Sequence, residues 1–287
     1  MAGTLLGTTA PFDGAGVFRY LAGHAIPGVE SGDEHGYRRR MRWGGAVAEL
    51  EVRLAPAPDA GPESAADAVL ATLDGGPLPP DLVTRIRRLL DLDADSAAID
   101  GMLAEDPVFA LPVAAAPGIR LPGSLDPHEE LFRTLVGQQI SIAATRSVLG
   151  RISRELCGDS GLFPTAEQFA ERGLEVLRGP ASRVATIHGV ALALASGELV
   201  IEESLSVAEL TERLVAMPGI GPWTAGYVAM RALGASDTLL STDLVLLKGA
   251  AALGLPGTPR GIAERAARWS PYRSYATLHL WRIAQAK

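Results

Sequence analysis

With 287 residues, 47% hydrophobic and 21% charged, the chain is long enough for one large domain or two ordinary ones, and its composition excludes a disordered polymer. No apolar run is long enough to span a bilayer, Met1 to Ala10 lacks the basic start of a secretory signal, and the lone Cys157 excludes internal disulfides, four-cysteine zinc sites and iron–sulfur clusters, so a cytoplasmic protein is expected. A formal charge of −7 weighs against a nucleic-acid partner, but it is unevenly spread: Pro218 to Lys287 carries +5 and the rest −12.

The first eighty residues read as mixed α/β. Phe18 to Ala25 fits a helix. Tyr37 to Trp43 reads as extended, and Ala46 to Leu54 alternates, with Leu50, Val52 and Leu54 facing one way and Glu49, Glu51 and Arg53 the other. Gly44-Gly45 between them supports a tight hairpin turn, and PAPDAGP from Pro56 to Pro62 reads as a loop. From Leu82 the pattern turns helical, beginning with Leu82, Ile86, Leu89 and Leu90. A proline-rich connector, Pro107 to Pro122, follows. Helices are then predicted over Pro127–Gly137, Ile140–Leu156, Ala166–Arg172, Ala181–Ala195, Val207–Met217, Trp223–Leu233, Asp243–Leu253 and Gly261–Ala267. No strand-like alternation recurs after Leu54. The expected class is therefore α+β: an N-terminal α/β domain over residues 1–80, then an all-α region over 81–287 with a cleft between two helical lobes.

The most informative stretch begins at Leu205. A helix with Leu210, Leu214 and Met217 on one face runs into Pro218-Gly219-Ile220-Gly221-Pro222, and a second helix opens with Trp223-Thr224-Ala225. Gly219 and Gly221 allow a tight turn and a close approach by a partner. The N–H groups that open the second helix, helped by its dipole, form an anion site suited to a phosphate. An ordinary helical turn would explain the same letters. Asp243, twenty-two residues past Gly221, precedes an apolar helix and reads equally as a plain N-cap or as a fixed carboxylate in a site. Trp223 and Tyr227, four apart, share a helix face and read as core or as a stacking surface.

With PGIGPWTAGYVAMRALG, then Asp237 and Asp243, then WSPYRSYATLHLW from Trp269 to Trp281, the chain resembles the helix-hairpin-helix DNA glycosylases. Within them it is most similar to the bacterial alkylation-repair branch, 3-methyladenine DNA glycosylase II (AlkA type). PGIRLPG and LVGQQISIAAT upstream also match, and the likeness covers about Pro117 to Trp281. In that family the N-terminal region resembles half of the TATA-binding protein. The resemblance implies a monofunctional glycosylase that flips alkylated purines out of double-stranded DNA and hydrolyses their glycosidic bond, as a monomer, with no metal or other cofactor.

It implies residue roles as well. Asp243 becomes the catalytic carboxylate, facing the positive charge that develops on the sugar or orienting the attacking water. Trp223, Tyr227, Trp281 and Tyr20 become the base pocket, whose rings replace lost stacking and attract a cationic base. Gly219, Gly221 and Thr224 form the phosphate-binding hairpin. Gln139 stands where the family carries a leucine wedge, a departure from the pattern. Asp237 is expected to be structural, and Arg178, Arg183, Arg273 and Arg282 are candidate phosphate contacts. Two other readings are disfavoured. A silent DNA-binding hairpin protein needs neither Asp243 nor the aromatic set. A glycosylase/lyase for oxidised purines carries a nucleophilic lysine where Trp223 stands, and the nearby Lys248 lies five residues past Asp243.

Overall fold

The computed structural model describes residues 3–56, 68–202 and 204–286. Strand β1 (Thr4–Gly7) leads to helix α1 (Gly14–His24), then β2 (Glu30–Gly32), β3 (Gly36–Trp43), β4 (Ala46–Ala55) and β5 (Ala68–Leu73). These strands form one antiparallel sheet in the order β1-β5-β4-β3-β2. The predicted hairpin is β3–β4. Trp43 pairs with Ala46 across Gly44-Gly45, whose positive φ angles suit a two-residue turn that continues the twist of the strands.

The expectation that no strand follows Leu54 is corrected by β5. Its sequence, AVLATL, is an almost unbroken apolar run lying between β4 and β1, and its first residues are buried on both faces. Period-two alternation is absent for that reason. β1 and β2 are too short to show a period. Beyond Pro56, the predicted loop to Pro62 lies outside the described residues.

The helical part comprises α2 (Pro80–Leu89), α3 (Ser96–Ala104), α4 (Ala110–Ala115), α5 (Pro127–Gly137), α6 (Ile142–Cys157), α7 (Ala166–Val176) and α8 (Ala181–Ser196). It continues with α9 (Val207–Val215), α10 (Pro222–Ala232), α11 (Leu244–Ala252), α12 (Pro259–Arg265) and α13 (Arg273–Gln285). Several starts are set by side-chain caps: Asp126 for α5, Ser141 for α6, Thr165 for α7, Ser206 for α9 and Asp243 for α11. The proline-rich connector contains the short helix α4.

Three apolar cores hold the molecule together. One lies between the sheet, α1 and α2, and includes Phe18, Leu50, Val52, Val69, Leu82 and Ile86. The other two share α10 as a common wall. Ala225, Val228 and Ala229 pack into the core formed with α5 to α9, while Met230 packs into the core of α3, α4 and α11 to α13. Trp223 and Tyr227 lie on the second side, so the packing of α10 itself delivers its aromatic face to the gap between the lobes.

Charged side chains join the sheet to the helices. Arg39 on β3 binds Glu129 on α5 at 2.7 and 3.2 Å and approaches Glu30 at 3.4 Å. Arg133, one turn along α5, donates to Glu30 and Glu129 at 2.8 Å, and the Tyr37 hydroxyl donates to Glu30 at 2.5 Å. Burial opposes ionisation of Glu30, but the guanidinium groups of Arg133 and Arg39 prevail and hold its carboxyl at about 2. The arginine-rich strand β3 therefore serves the seam: Arg40 and Arg42 likewise donate to the carbonyls of Ser160 and Phe163.

Candidate active site

Asp243 is the N-cap of α11, where its Oδ1 accepts the N–H of Leu246 at 2.7 Å. That oxygen also accepts Trp281 Nε1–H at 2.9 Å, and Oδ2 accepts Trp223 Nε1–H at 3.1 Å. One carboxylate is thus fixed from three sides, by the start of α11, by α13 and by α10. The capping and site readings of this residue hold together. Close packing supports the arrangement: a Cβ on Gly249 of α11 would collide with the backbone carbonyl of Leu280, the residue before Trp281.

The aromatic residues converge beside it. Trp223 and Tyr227 stack with centroids 5.3 Å apart, and Trp281 is tilted against Tyr227 at 6.2 Å. Tyr20, from α1 of the sheet unit, closes the group with its hydroxyl 3.0 Å from that of Tyr227. Burial pushes the Tyr20 hydroxyl well up, so it stays neutral. All four rings and Asp243 line one cleft of about 1060 Å³ between the sheet unit and the helical lobes. Lys248 lines it too.

The hairpin between α9 and α10 gives its two glycines different duties. Gly219 has φ +85°, and a Cβ there would collide with the Thr186 side chain on α8, so the fold itself requires glycine. Gly221 caps α10 at φ −95°, a conformation open to any residue, and the space its Cβ would occupy is empty. Pro222 at N1 has no N–H, which leaves Trp223 and Thr224 as the first-turn donors. The Thr224 side chain is only 4% exposed, and its hydroxyl accepts from Gln138 Nε2 at 3.0 Å. Its hydroxyl is therefore committed within the protein.

Gln139 is exposed at φ +62°, a left-handed conformation unusual for a residue other than glycine. It lies between Gly137 and Ile140, both of which line the cleft. Asp237 is held outside this assembly by Arg273, at 2.7 and 2.8 Å, and by Ser270 at 2.8 Å. Although burial opposes it, these bonds hold the Asp237 carboxyl below its ordinary value. Among the candidate phosphate contacts, Arg273 is committed to Asp237 and Arg282 to Asp13 at 2.7 Å, while Arg178 and Arg183 donate to backbone carbonyls.

Comparison with known proteins finds relatives over most of the chain. The family model described as the AlkA N-terminal domain matches residues 4–126. DNA-3-methyladenine glycosylase 2 of Escherichia coli K12 is 30% identical, over 94% of either chain. The chain belongs to the 3-methyladenine DNA glycosylase II (AlkA) family. A Mycobacterium tuberculosis H37Rv protein, named a probable bifunctional transcriptional activator/DNA repair enzyme AlkA, is 40% identical across 98% of this chain. The chain spans 57% of that relative's length. The fold also matches the 3-methyladenine DNA glycosylase of Archaeoglobus fulgidus, with a TM-score of 0.78 at 19% identity over 100% of this chain and 99% of that one.

In this AlkA-family chain the cleft holds two residues that sequence reasoning passed over. Arg231, 1% exposed, lies on the same α10 as Trp223 and Tyr227. His24 stacks on Tyr20 at 4.0 Å, and its Nδ1 meets the Tyr20 carbonyl at 2.8 Å. That contact makes Nδ1 the protonated nitrogen and leaves Nε2 as an acceptor in the neutral ring.

Burial pushes His24 and His279 down to about 4. The unfolded chain binds these protons near pH 6.5, so the stability the two rings contribute is complete above that value and is lost as pH falls towards 4. Burial pushes Asp91 up to about 6 and raises Asp100 and Glu130 as well, which acts in the opposite sense over part of the window, so the share of the rings is read from the difference that removing one of them makes. The thermal midpoint is expected to drop between pH 6.5 and 4.5, and His279→Gln should shallow the drop. Melting curves that coincide across this range would contradict the assignment.

Proposed function

We propose that the chain is a monofunctional DNA glycosylase that flips alkylated purines out of duplex DNA, hydrolyses their glycosidic bond and works as a monomer. The observation that carries this reading is the Asp243 carboxylate, oriented by two indole N–H groups at the edge of an aromatic cleft. An oxocarbenium-like sugar is stabilised by such a fixed negative charge, and the flipped base finds rings to stack on. The hairpin N–H groups of α10 take a phosphate without any cationic side chain, which suits a chain of net charge −7. Exposed Gln139, beside the cleft-lining Gly137 and Ile140, is the candidate to fill the gap left by the base.

Incubation with methylated duplex DNA, followed by identification of the released bases, tests the reading. Free 3-methyladenine or 7-methylguanine is expected, with the abasic strand intact until alkali is added. The chain has only two lysines, Lys248 and Lys287, and Trp223 fills the position where the lyases carry their amine. Lys248 lines the cleft from α11 rather than from the α10 position the lyases use, and borohydride should trap no covalent adduct. Release of no base, or efficient trapping, would overturn the proposal.

Gly221→Val offers a separate check on the hairpin. The new side chain enters open space, so the melting temperature should barely move. It blocks the approach of a phosphate, so affinity for damaged and undamaged duplex should fall together. A loss confined to damaged DNA would place the hairpin's role elsewhere.

A further inference from the structure

Arg231 is an unusual occupant for an aromatic cleft. Its guanidinium lies 4.4 Å from the ring centroid of Tyr20, 5.1 Å from Tyr227 and 5.7 Å from Trp281. Nη1 is anchored by the Pro122 carbonyl at 2.7 Å, whereas the buried Nε and Nη2 have no hydrogen-bond partner. Among the described residues no carboxylate contacts this guanidinium. Glu130 lines the same cleft, where burial pushes its carboxyl upward while the charge of Arg231 draws it down. The rings thus already hold a cation that cannot lose its charge. A cationic base entering beside them meets this charge as well as the carboxylate of Asp243.

We propose that Arg231 is a specificity-determining residue that assists the departure of neutral purine lesions and disfavours cationic ones. The inference rests on the glycosylase reading above. When the bond between C1′ and the base nitrogen breaks, its electron pair leaves with the base. The sugar becomes an oxocarbenium ion facing Asp243, and water adds to C1′ and loses a proton. A cationic alkylpurine leaves as a neutral molecule and draws nothing from Arg231. A neutral purine such as hypoxanthine leaves as an anion, next to a fixed positive charge with unpaired N–H groups. In a cleft poor in water such a charge acts strongly, and it is in place before the bond breaks. Arg231 therefore lowers the barrier for one class of lesion and raises the energy of the bound state for the other.

Single-turnover excision of hypoxanthine and of 7-methylguanine, each at one defined position in a duplex, tests this in the unaltered protein, Arg231→Met and Arg231→Lys. Loss of the charge in Arg231→Met should slow hypoxanthine release roughly tenfold or more. Release of 7-methylguanine should change far less, or quicken. Arg231→Lys should keep most of the original ratio. An equal loss on both bases would reduce Arg231 to a structural part and overturn the proposal. If the unaltered protein releases neither base, the glycosylase reading fails instead. Should Arg231→Met not fold, the unaltered protein still decides: across neutral purine lesions, excision rate should depend only weakly on the acidity of the departing base. A steep dependence would refute the role of Arg231.

Discussion

Asp243→Asn is expected to bind duplex DNA and to excise alkylated bases about a hundred- to a thousandfold more slowly than the unaltered protein, the typical loss for one preorganised electrostatic contact. Asn can still cap α11 through its carbonyl. It cannot satisfy the whole cradle, because one indole N–H now faces an amide NH₂ instead of an oxygen. A stability loss of about 1–3 kcal/mol should accompany the rate loss, from the donor left without an acceptor. Melting curves and single-turnover excision separate the two effects. Asp237→Asn is the control: it loosens Arg273 and Ser270, away from the aromatic residues, and should keep its activity. Wild-type excision by Asp243→Asn, with loss in Asp237→Asn, would exchange the roles of the two carboxylates.

The second large effect is thermodynamic. Glu30→Ala leaves Arg39 and Arg133 sharing the single carboxylate of Glu129, in a seam where Glu30 and Arg39 are almost fully buried. Removing one member of a buried ionic set costs about 3–5 kcal/mol, because the charge left behind has no counterion. The double variant Glu30→Ala/Arg133→Met restores the balance, since Arg39 and Glu129 remain paired by two hydrogen bonds. It should be more stable than Glu30→Ala alone. Equilibrium unfolding in urea measures both. A double variant less stable than the single would show that Arg133 contributes through its bond to the His24 carbonyl more than through charge.

Much of this architecture is visible in the letters because local chemistry and tertiary packing agree there. The predicted helices from Pro127, Ala166 and Val207 begin where the fold begins α5, α7 and α9, and Gly44-Gly45 announces its hairpin. Trp223, Tyr227, Trp281 and Asp243 were legible through their family spacing, and geometry brings them together. What stayed hidden depends on partners far away in sequence. Arg231 sits in the last turn of α10, where a basic residue normally complements the helix dipole in water. Only the approach of Tyr20, 211 positions earlier by number, reveals it as buried. β5 escaped because strand periodicity disappears when both faces are covered, and the RRRMR run of β3 reads as surface charge until its acceptors on α5 are known.

Tyr20 is held by a different part of the fold from the other three rings. Trp223, Tyr227 and Trp281 ride on the same helices that fix Asp243, so any drift in them disturbs the cradle of that carboxylate. Tyr20 rides on α1, anchored through Val17, Phe18 and Leu21 to the sheet's own core. Substitutions in that core can tilt α1 and reshape one wall of the cleft while the carboxylate cradle stays as it is. One wall of the cleft is therefore built on a part of the fold that the carboxylate cradle does not share, while Arg231 stays with the cradle on α10. Changes within residues 14–24 are expected to reshape that wall without moving the cradle, and exchanging this helix between homologues would test it.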